Sequence, residues 1–195
     1  MTRSIRVDVP LDHINVLDGR RLSIFARVVA LPGGTGRPYL LFLQGGPGHE
    51  SPRPSLDPPT PAWLPRALED YQLVFLDQRG TGLSDPVSEP IGAPQDQAEY
   101  LSHMRAEIVA DCEDLREELG VESWAVLGQS FGGFTALHYL STHPDAISAA
   151  YFTGGLPPVG RSADDVYTAT YRELAAKSRA FYQRFPLRSG PHAPA

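Results

Sequence analysis

A serine set between glycines is the residue of this chain whose surroundings most clearly indicate chemistry. Gly128–Gly132 has the sequence Gly-Gln-Ser-Phe-Gly and fits the pattern Gly-x-Ser-x-Gly. The apolar run Trp124–Leu127 before it predicts a buried strand, and Phe134–Leu140 after it has the spacing of a helix. A strand that turns into a helix within a few residues strains the serine backbone and lifts the hydroxyl clear of the sheet. We therefore interpret Ser130 as a catalytic nucleophile, with a purely structural glycine turn as the alternative.

Two segments could supply backbone N–H groups that stabilise an oxyanion beside this serine. The N–H of Phe131 would lie at the start of the helix, where the helix dipole favours negative charge. The apolar run Tyr39–Leu43 predicts a strand buried on both faces, and it leads into the loop Gln44–Gly48. Because Gly45 and Gly46 have no side chains, their backbone can approach a substrate closely. A Gly-Pro turn without chemical significance is the alternative for this loop.

A third apolar run, Leu73–Leu76, leads into the loop Asp77–Ser84, which contains two glycines. Asp77 and Arg79 are predicted to brace the loops around the site by hydrogen bonds rather than to take part in chemistry. Gly45, Gly80 and Ser130 all follow predicted strands. In an open parallel sheet ligands bind at the carboxyl ends of the strands, so the three motifs converge on one edge.

The three motifs together resemble the signature blocks of the proline iminopeptidase family, which are α/β-hydrolase serine aminopeptidases. The blocks are Gln44–Gly48, Asp77–Ser84 and Gly128–Gly133, and the resemblance extends from about Val7 to about Gly155. The family usually has histidine where this chain has Gln44, and the glutamine form is similar to a bacterial subgroup of larger prolyl aminopeptidases.

The resemblance implies a reaction and a role for four residues. Ser130 would be the nucleophile, and the N–H groups of Phe131 and Gly46, with Gly45 as second choice, would form the oxyanion hole. The implied substrate is a peptide with a free N-terminus, whose first residue, most often proline, is released through an acyl-enzyme.

Members of this family follow the serine with a helical cap, an acidic residue and a histidine. No residue after Ser130 in this sequence suits the last two roles. Asp145 lies past the helix that follows the serine, at the opposite end of the sheet, and Asp164 and Asp165 stand at a predicted helix start. His192 lies in tail-like sequence, and His138 and His143 belong to the helix behind the serine. We therefore expect this chain to be the N-terminal part of such a peptidase and inactive by itself.

Two other functions stay open at this point: another α/β-hydrolase activity such as an esterase, and a non-catalytic product, either a pseudoenzyme or a gene fragment. Serine rather than aspartate at position 130 argues against epoxide hydrolases and haloalkane dehalogenases.

Composition excludes several classes of partner. The 195 residues are 42% hydrophobic and 21% charged, with a net charge of −6, which gives no basic surface for nucleic acid. No apolar run reaches the roughly 18 residues of a membrane helix, and Met1–Arg6 is not followed by the apolar stretch of a signal peptide. Cys112 is the single cysteine and is predicted to pack in a helix. No cluster has metal-ligand spacing, so we expect no metal or cofactor and a cytoplasmic protein.

Strands that alternate with helices after an opening hairpin predict an α/β-hydrolase fold with a mostly parallel, doubly wound sheet. Helices are predicted at Trp63–Glu69, Gln97–Leu119, Phe134–Leu140 and Asp164–Phe185, and Gly48–Pro61 is predicted to be an irregular loop. The six strands are predicted at Arg6–Leu11, Leu22–Ala30, Tyr39–Leu43, Tyr71–Leu76, Trp124–Leu127 and Ile147–Thr153.

The sequence further predicts a core at residues 1–157 and the beginning of a helical cap with a tail at residues 158–195. Strand Ile147–Thr153 carries neither charge nor proline. It is predicted to be an unpaired edge strand, through which the chain could self-associate.

Overall fold

The computed structural model describes residues 1–46, 48–85, 98, 102–103, 107–156 and 159–186. The strands are β1 (Thr2–Pro10), β2 (Arg21–Val29), β3 (Tyr39–Leu43), β4 (Ser55–Leu56), β5 (Pro59–Thr60), β6 (Gln72–Asp77), β7 (Trp124–Gln129) and β8 (Ile147–Thr153). The helices are α1 (Leu64–Asp70), α2 (Ile108–Glu118), α3 (Phe131–Thr142) and α4 (Ala163–Arg184). No helix within the described ranges is long and apolar enough to cross a membrane.

Six of the strands form one sheet in the order β1-β2-β6-β3-β7-β8. The opening hairpin β1–β2 is antiparallel, as is the pair β2–β6, and the other three pairs are parallel. The predicted mostly parallel α/β sheet of six strands is therefore confirmed. β8 is the outermost strand on its side of the described sheet.

The parallel strands are buried on both faces because alternate residues face two separate apolar clusters. On one face Leu41 and Leu43 of β3 pack with Cys112 of α2 and Tyr139 of α3. On the other face Leu40 and Phe42 pack with residues of α1 and β6, including the ring of Phe75. The two middle strands of the sheet are β6 and β3.

The element boundaries differ from the prediction in a few places. β1 begins at Thr2 rather than at Arg6, and the loop predicted to be irregular contains the short hairpin β4–β5. In that hairpin the hydroxyl of Ser55 accepts a hydrogen bond from the N–H of Asp57, which closes the turn. Part of the helix predicted at residues 97–119 lies outside the described residues. Its described end has Gly120 at φ 65°, the left-handed conformation expected of a glycine that ends a helix.

The chain divides into two compact units, Met1–Leu156 and Pro157–Ala195. In the second unit α4 confirms the predicted helix. It begins with a capping box, in which the Ser162 hydroxyl accepts from the Asp165 N–H and the Asp165 carboxylate accepts from the Ser162 N–H. The assignment of the two units as hydrolase core and cap stays a prediction.

Candidate active site

Ser130 occupies a strained turn between β7 and α3. Its backbone angles are φ 51° and ψ −116°, in a region that residues other than glycine rarely adopt. The turn is fixed from both sides, because the Ser130 N–H donates to the Thr153 carbonyl at 2.8 Å and the Ser130 carbonyl accepts from the Gly133 N–H at 2.9 Å. Ser130 is exposed, so the turn presents its hydroxyl to solvent.

Four glycines allow the backbone to pack tightly around this turn. Any side chain on them would overlap a neighbouring carbonyl oxygen. A Cβ on Gly132 would meet the carbonyl of Leu43, and one on Gly133 would meet that of Gly155. A Cβ on Gly155 would meet the carbonyl of Ser130, and one on Gly128 would meet that of Gly132. The pattern of glycines recognised in the sequence therefore has a steric cause, namely the close approach of α3 to the ends of β3 and β8.

The loop after β3 lies directly beside the serine. β3 and β7 are neighbours in parallel register, with Leu43 opposite Gly128, so the loops that follow them leave the same edge of the sheet. A Cβ atom placed on Gly45 would lie 2.7 Å from the Cβ of Ser130. Gly46 follows with a left-handed backbone, φ 63°, and its carbonyl accepts from the His49 N–H at 3.3 Å.

The structure thus brings together the sequence segments that carry the predicted site residues. Phe131 is the first residue of α3 and directly follows Ser130, while Gly45 contacts Ser130 from the loop of β3. The N–H groups at the first turn of a helix carry partial positive charge, so this edge of the sheet can stabilise an oxyanion.

Asp77 braces the loops around the site, as predicted. Its carboxylate is fully buried at the end of β6. One oxygen accepts from the Ser51 N–H at 3.1 Å and from the Arg27 guanidinium at 3.3 Å, and the other accepts from the Leu83 N–H at 3.1 Å. Asp77 therefore ties the loop after β3 to the loop after β6. The charge serves structure rather than chemistry.

Arg79 makes a second brace, and its acidic partner was missed in the sequence. The guanidinium of Arg79 is 2% exposed and forms a two-pronged ion pair with Asp111 of α2, with Nε 2.6 Å from Oδ2. It also donates to the Leu11 carbonyl at 2.7 Å and lies 3.0 Å from the Nε2 of His13. The sequence does contain a signal for this ion pair. Asp111 interrupts the apolar stripe of its helix, and a charged residue in such a stripe is buried only with a partner of opposite charge.

Cys112 is a packing residue, as predicted. Its side chain is fully buried among the apolar residues between α2 and the sheet. Burial raises the pKa of its thiol well above the usual value, so the sulfur stays protonated and is not a nucleophile.

His49 lies in the loop after β3, where its N–H donates to the Gly46 carbonyl at 3.3 Å, and three other histidines have their recorded contacts away from Ser130. His13 lies against Arg79 and Asp111, the ring of His103 lies 3.7 Å from Glu107, and the ring of His143 contacts Thr142. Asp145 precedes β8 at the sheet edge opposite to the serine, as predicted, and His192 lies outside the described residues. Within the described ranges no hydrogen bond joins Ser130 to a histidine.

Residues 38–192 match the model of a protein family described as the alpha/beta hydrolase fold. The chain belongs to the α/β-hydrolase fold family. This agrees with the sheet order and with the serine turn, and it confirms the fold that the sequence predicted.

Comparison with curated proteins shows similarity to proline iminopeptidases, as the sequence motifs predicted. The chain is 48% identical over 185 residues to the proline iminopeptidase of Aeromonas sobria, a match that covers 91% of this chain and 43% of that protein. It is 34% identical over 203 residues to a proline iminopeptidase of Aspergillus aculeatus, covering 95% of this chain and 44% of that protein. The chain therefore spans less than half the length of these relatives.

A solved structure supports the fold independently. The 2-hydroxy-6-oxo-6-phenylhexa-2,4-dienoate hydrolase of a Rhodococcus species superposes with a TM-score of 0.51 at 20% sequence identity, covering 84% of this chain and 51% of that one. At this identity the match shows a shared fold and nothing about substrate.

Proposed function

We propose that this α/β-hydrolase chain carries the nucleophile and the oxyanion hole of a serine aminopeptidase of the proline iminopeptidase type. The observation that carries the proposal is the strained backbone of Ser130 at the junction of β7 and α3, with Gly45 packed against it. A strained exposed serine beside a glycine loop is the arrangement that acyl transfer requires. The 48% identity to the Aeromonas enzyme supports the reaction type.

In the proposed reaction Ser130 attacks the carbonyl carbon of the first residue of a peptide. The tetrahedral intermediate places negative charge on the carbonyl oxygen, where the N–H groups of Phe131 and Gly46, or Gly45 in its place, donate hydrogen bonds. Collapse of the intermediate releases the shortened peptide and leaves the first residue, proline in the favoured substrate, as an ester on Ser130. Water then releases that residue.

Activation of the serine needs a base, which the described contacts of this chain do not supply. A serine hydroxyl without its base is a weak nucleophile at neutral pH, and loss of the base in a serine protease costs about 10⁶ in turnover. We therefore propose that residues beyond those described here complete the catalytic triad and the pocket for the first residue. The chain expressed alone should hydrolyse proline arylamides no faster than its Ser130→Ala variant.

A chimera tests the proposed site. This chain would replace the segment of the Aeromonas sobria enzyme to which it is similar, so that the rest of that enzyme supplies what this chain lacks. The chimera should hydrolyse proline p-nitroanilide, Ser130→Ala should abolish turnover with little change in substrate binding, and Gly46→Val should impair turnover by disturbing the oxyanion donor. Ser141→Ala, which removes an exposed hydroxyl at the far end of α3, is the matched control.

The outcomes separate the candidate functions. A folded chimera that keeps its activity in Ser130→Ala would rule out Ser130 as the nucleophile, and unchanged turnover in Gly46→Val would remove Gly46 from the oxyanion hole. Faster hydrolysis of p-nitrophenyl esters than of proline p-nitroanilide would favour an esterase. A folded chimera with neither activity would favour a non-catalytic chain.

A further inference from the structure

Three side chains with metal-binding atoms, one from the loop after β1 and two from residues that precede α2 in the chain, lie close together. Asp12, His103 and Glu107 each offer one nitrogen or oxygen atom, and these atoms all lie within 4.8 Å of one another. The local spacing of metal ligands in the sequence did not reveal this group, because the fold brings Asp12 to residues distant in the chain.

The carboxylate of Asp12 is held in place by the backbone around it. Its Oδ1 accepts hydrogen bonds from the N–H groups of Ile14 at 2.8 Å and Asn15 at 2.9 Å. The second oxygen, Oδ2, accepts neither of these bonds and can bind a ligand.

Glu107 places a second carboxylate beside the first in a largely desolvated position. Its side chain is 9% exposed, and within the described ranges its carboxylate has one ion-pair contact, the Nδ1 of His103 at 3.7 Å. That distance is too long for a hydrogen bond. The neighbouring guanidinium of Arg79 binds the carboxylate of Asp111 and reaches this cluster only through the His103 carbonyl, at 3.3 Å.

The cluster itself holds two carboxylates and one imidazole, and Arg20 acts electrostatically on Asp12 from outside it. A buried carboxylate is costly unless a cation or strong donors compensate it. A divalent cation between the three side chains would balance both carboxylates.

We propose that Asp12, His103 and Glu107 bind a divalent transition-metal ion, with zinc the best fit. Zinc takes imidazole nitrogen and carboxylate oxygen at about 2.0–2.2 Å, and a tetrahedral site then separates its ligand atoms by about 3.4 Å. Side-chain rotations that draw the three atoms together by up to about 1.4 Å would achieve this geometry, with water completing the coordination. Magnesium and calcium prefer sites made wholly of oxygen, with six or more ligands. The ion would fasten the loop after β1 to His103 and to Glu107, which directly precedes α2.

Titration calorimetry of the 195-residue chain with zinc chloride tests the site. One equivalent of zinc should bind, and the thermal unfolding midpoint should rise with zinc concentration, because the ion binds the folded state. His103→Ala and Glu107→Gln should each weaken binding at least about tenfold, since even residues outside the first coordination shell contribute about that much. His138→Ala and Asp145→Asn, which change exposed residues elsewhere, should leave binding unchanged.

Circular dichroism of each variant without metal shows whether it is folded, and Glu107→Gln preserves the side-chain shape if His103→Ala does not fold. Zinc binding that persists at full affinity in a folded Glu107→Gln variant would overturn the site. Loss of binding in His138→Ala equal to that in His103→Ala would also overturn it, by assigning the ion to surface histidines. Tighter binding of magnesium or calcium than of zinc would overturn the choice of metal.

Discussion

At the scale of single residues, the site depends on backbone conformations that few residue types can adopt. Ser130 has a left-handed backbone in spite of its side chain, and the glycines around it leave no room for a Cβ atom. Strain of this kind costs about 1–3 kcal/mol, and it persists because the surrounding packing enforces it. The molecule gives up stability at this position to present a hydroxyl at the edge of the sheet.

The strain can be measured by comparing two substitutions at one position. Ser130→Gly should be more stable than Ser130→Ala by about 1 kcal/mol, because glycine adopts this conformation freely and the relief exceeds its greater entropy loss on folding. Urea denaturation of both variants gives the difference. In α3 the pair Ser141→Gly and Ser141→Ala should show the opposite order, because glycine destabilises a helix. If the alanine variant were the more stable one at both positions, Ser130 would not be strained.

At the scale of elements, buried polar contacts join segments that are far apart in the chain. The ion pair between Arg79 and Asp111 connects the loop after β6 to α2 and, through the Leu11 carbonyl, to the end of β1. On the same face of the sheet, the Tyr139 hydroxyl of α3 bonds with Glu113 of α2 and accepts from the Trp124 indole N–H at 3.1 Å. These contacts set the positions of α2 and α3 on the sheet, and α3 carries the site.

Asp111→Asn should be strongly destabilising. It leaves the Arg79 guanidinium buried without its counter-charge, which costs about 3–5 kcal/mol. Asp114→Asn on the same helix is the matched control and should cost about 0.5 kcal/mol or less, because burial already raises the pKa of Asp114 and disfavours its charge. Free energies of unfolding from urea titrations check both values. Equal losses in the two variants would contradict the role of the buried ion pair.

Glu113 should make the stability depend on acid pH. Burial alone would raise the pKa of its carboxyl, but hydrogen bonds from Arg116 and Tyr139 outweigh burial and lower it below 4.5. A lowered folded-state pKa contributes stability that is present above the unfolded value and is lost as the pH falls through the folded value. Glu113→Gln should therefore flatten the fall in stability below pH 4.5, and Glu118→Gln should not. Thermal unfolding midpoints of both variants across that pH range test this prediction.

The elements were predictable where a local pattern determines them. Continuous apolar runs marked the buried strands β3, β6 and β7, and glycine spacing marked the serine turn, because each depends on neighbours in the chain. The start of β1 was missed because its first residues are mostly polar and lie on an exposed edge. The partner of Arg79 was missed, as was the position of Asp12 beside His103 and Glu107, because tertiary folding alone brings these residues together.

At the scale of the whole molecule, the described sheet ends in a strand that exposes its backbone. β8 pairs with β7 along one side only, and it contains neither charge nor proline to hinder another strand from pairing with it. Such an edge favours pairing between chains. The relatives that the chain matches are more than twice as long as the segment they share with it.

We expect the 195-residue chain, expressed alone, to self-associate through β8. Ser148→Lys would place a charge at an exposed position of this strand and should shift sedimentation profiles toward the monomer. Ser141→Lys on α3 adds the same charge away from the edge and should leave the profile unchanged. A monodisperse wild-type monomer with a reversible, cooperative thermal transition would contradict this expectation.

The central place of β3 in the sheet also has a consequence for how the protein is made. Leu40 of β3 pairs on one side with Leu73 and on the other with Ala125, which the ribosome adds much later. At synthesis rates of 5–20 residues per second, about ten seconds pass between the synthesis of β3 and that of β7, so one side of this apolar strand stays unpaired for that time. The contact between Gly45 and Ser130 cannot form before β7 has been synthesised. Nascent chains that stall in this interval expose an uncharged apolar strand, so chaperone capacity rather than final stability would limit the yield of this protein.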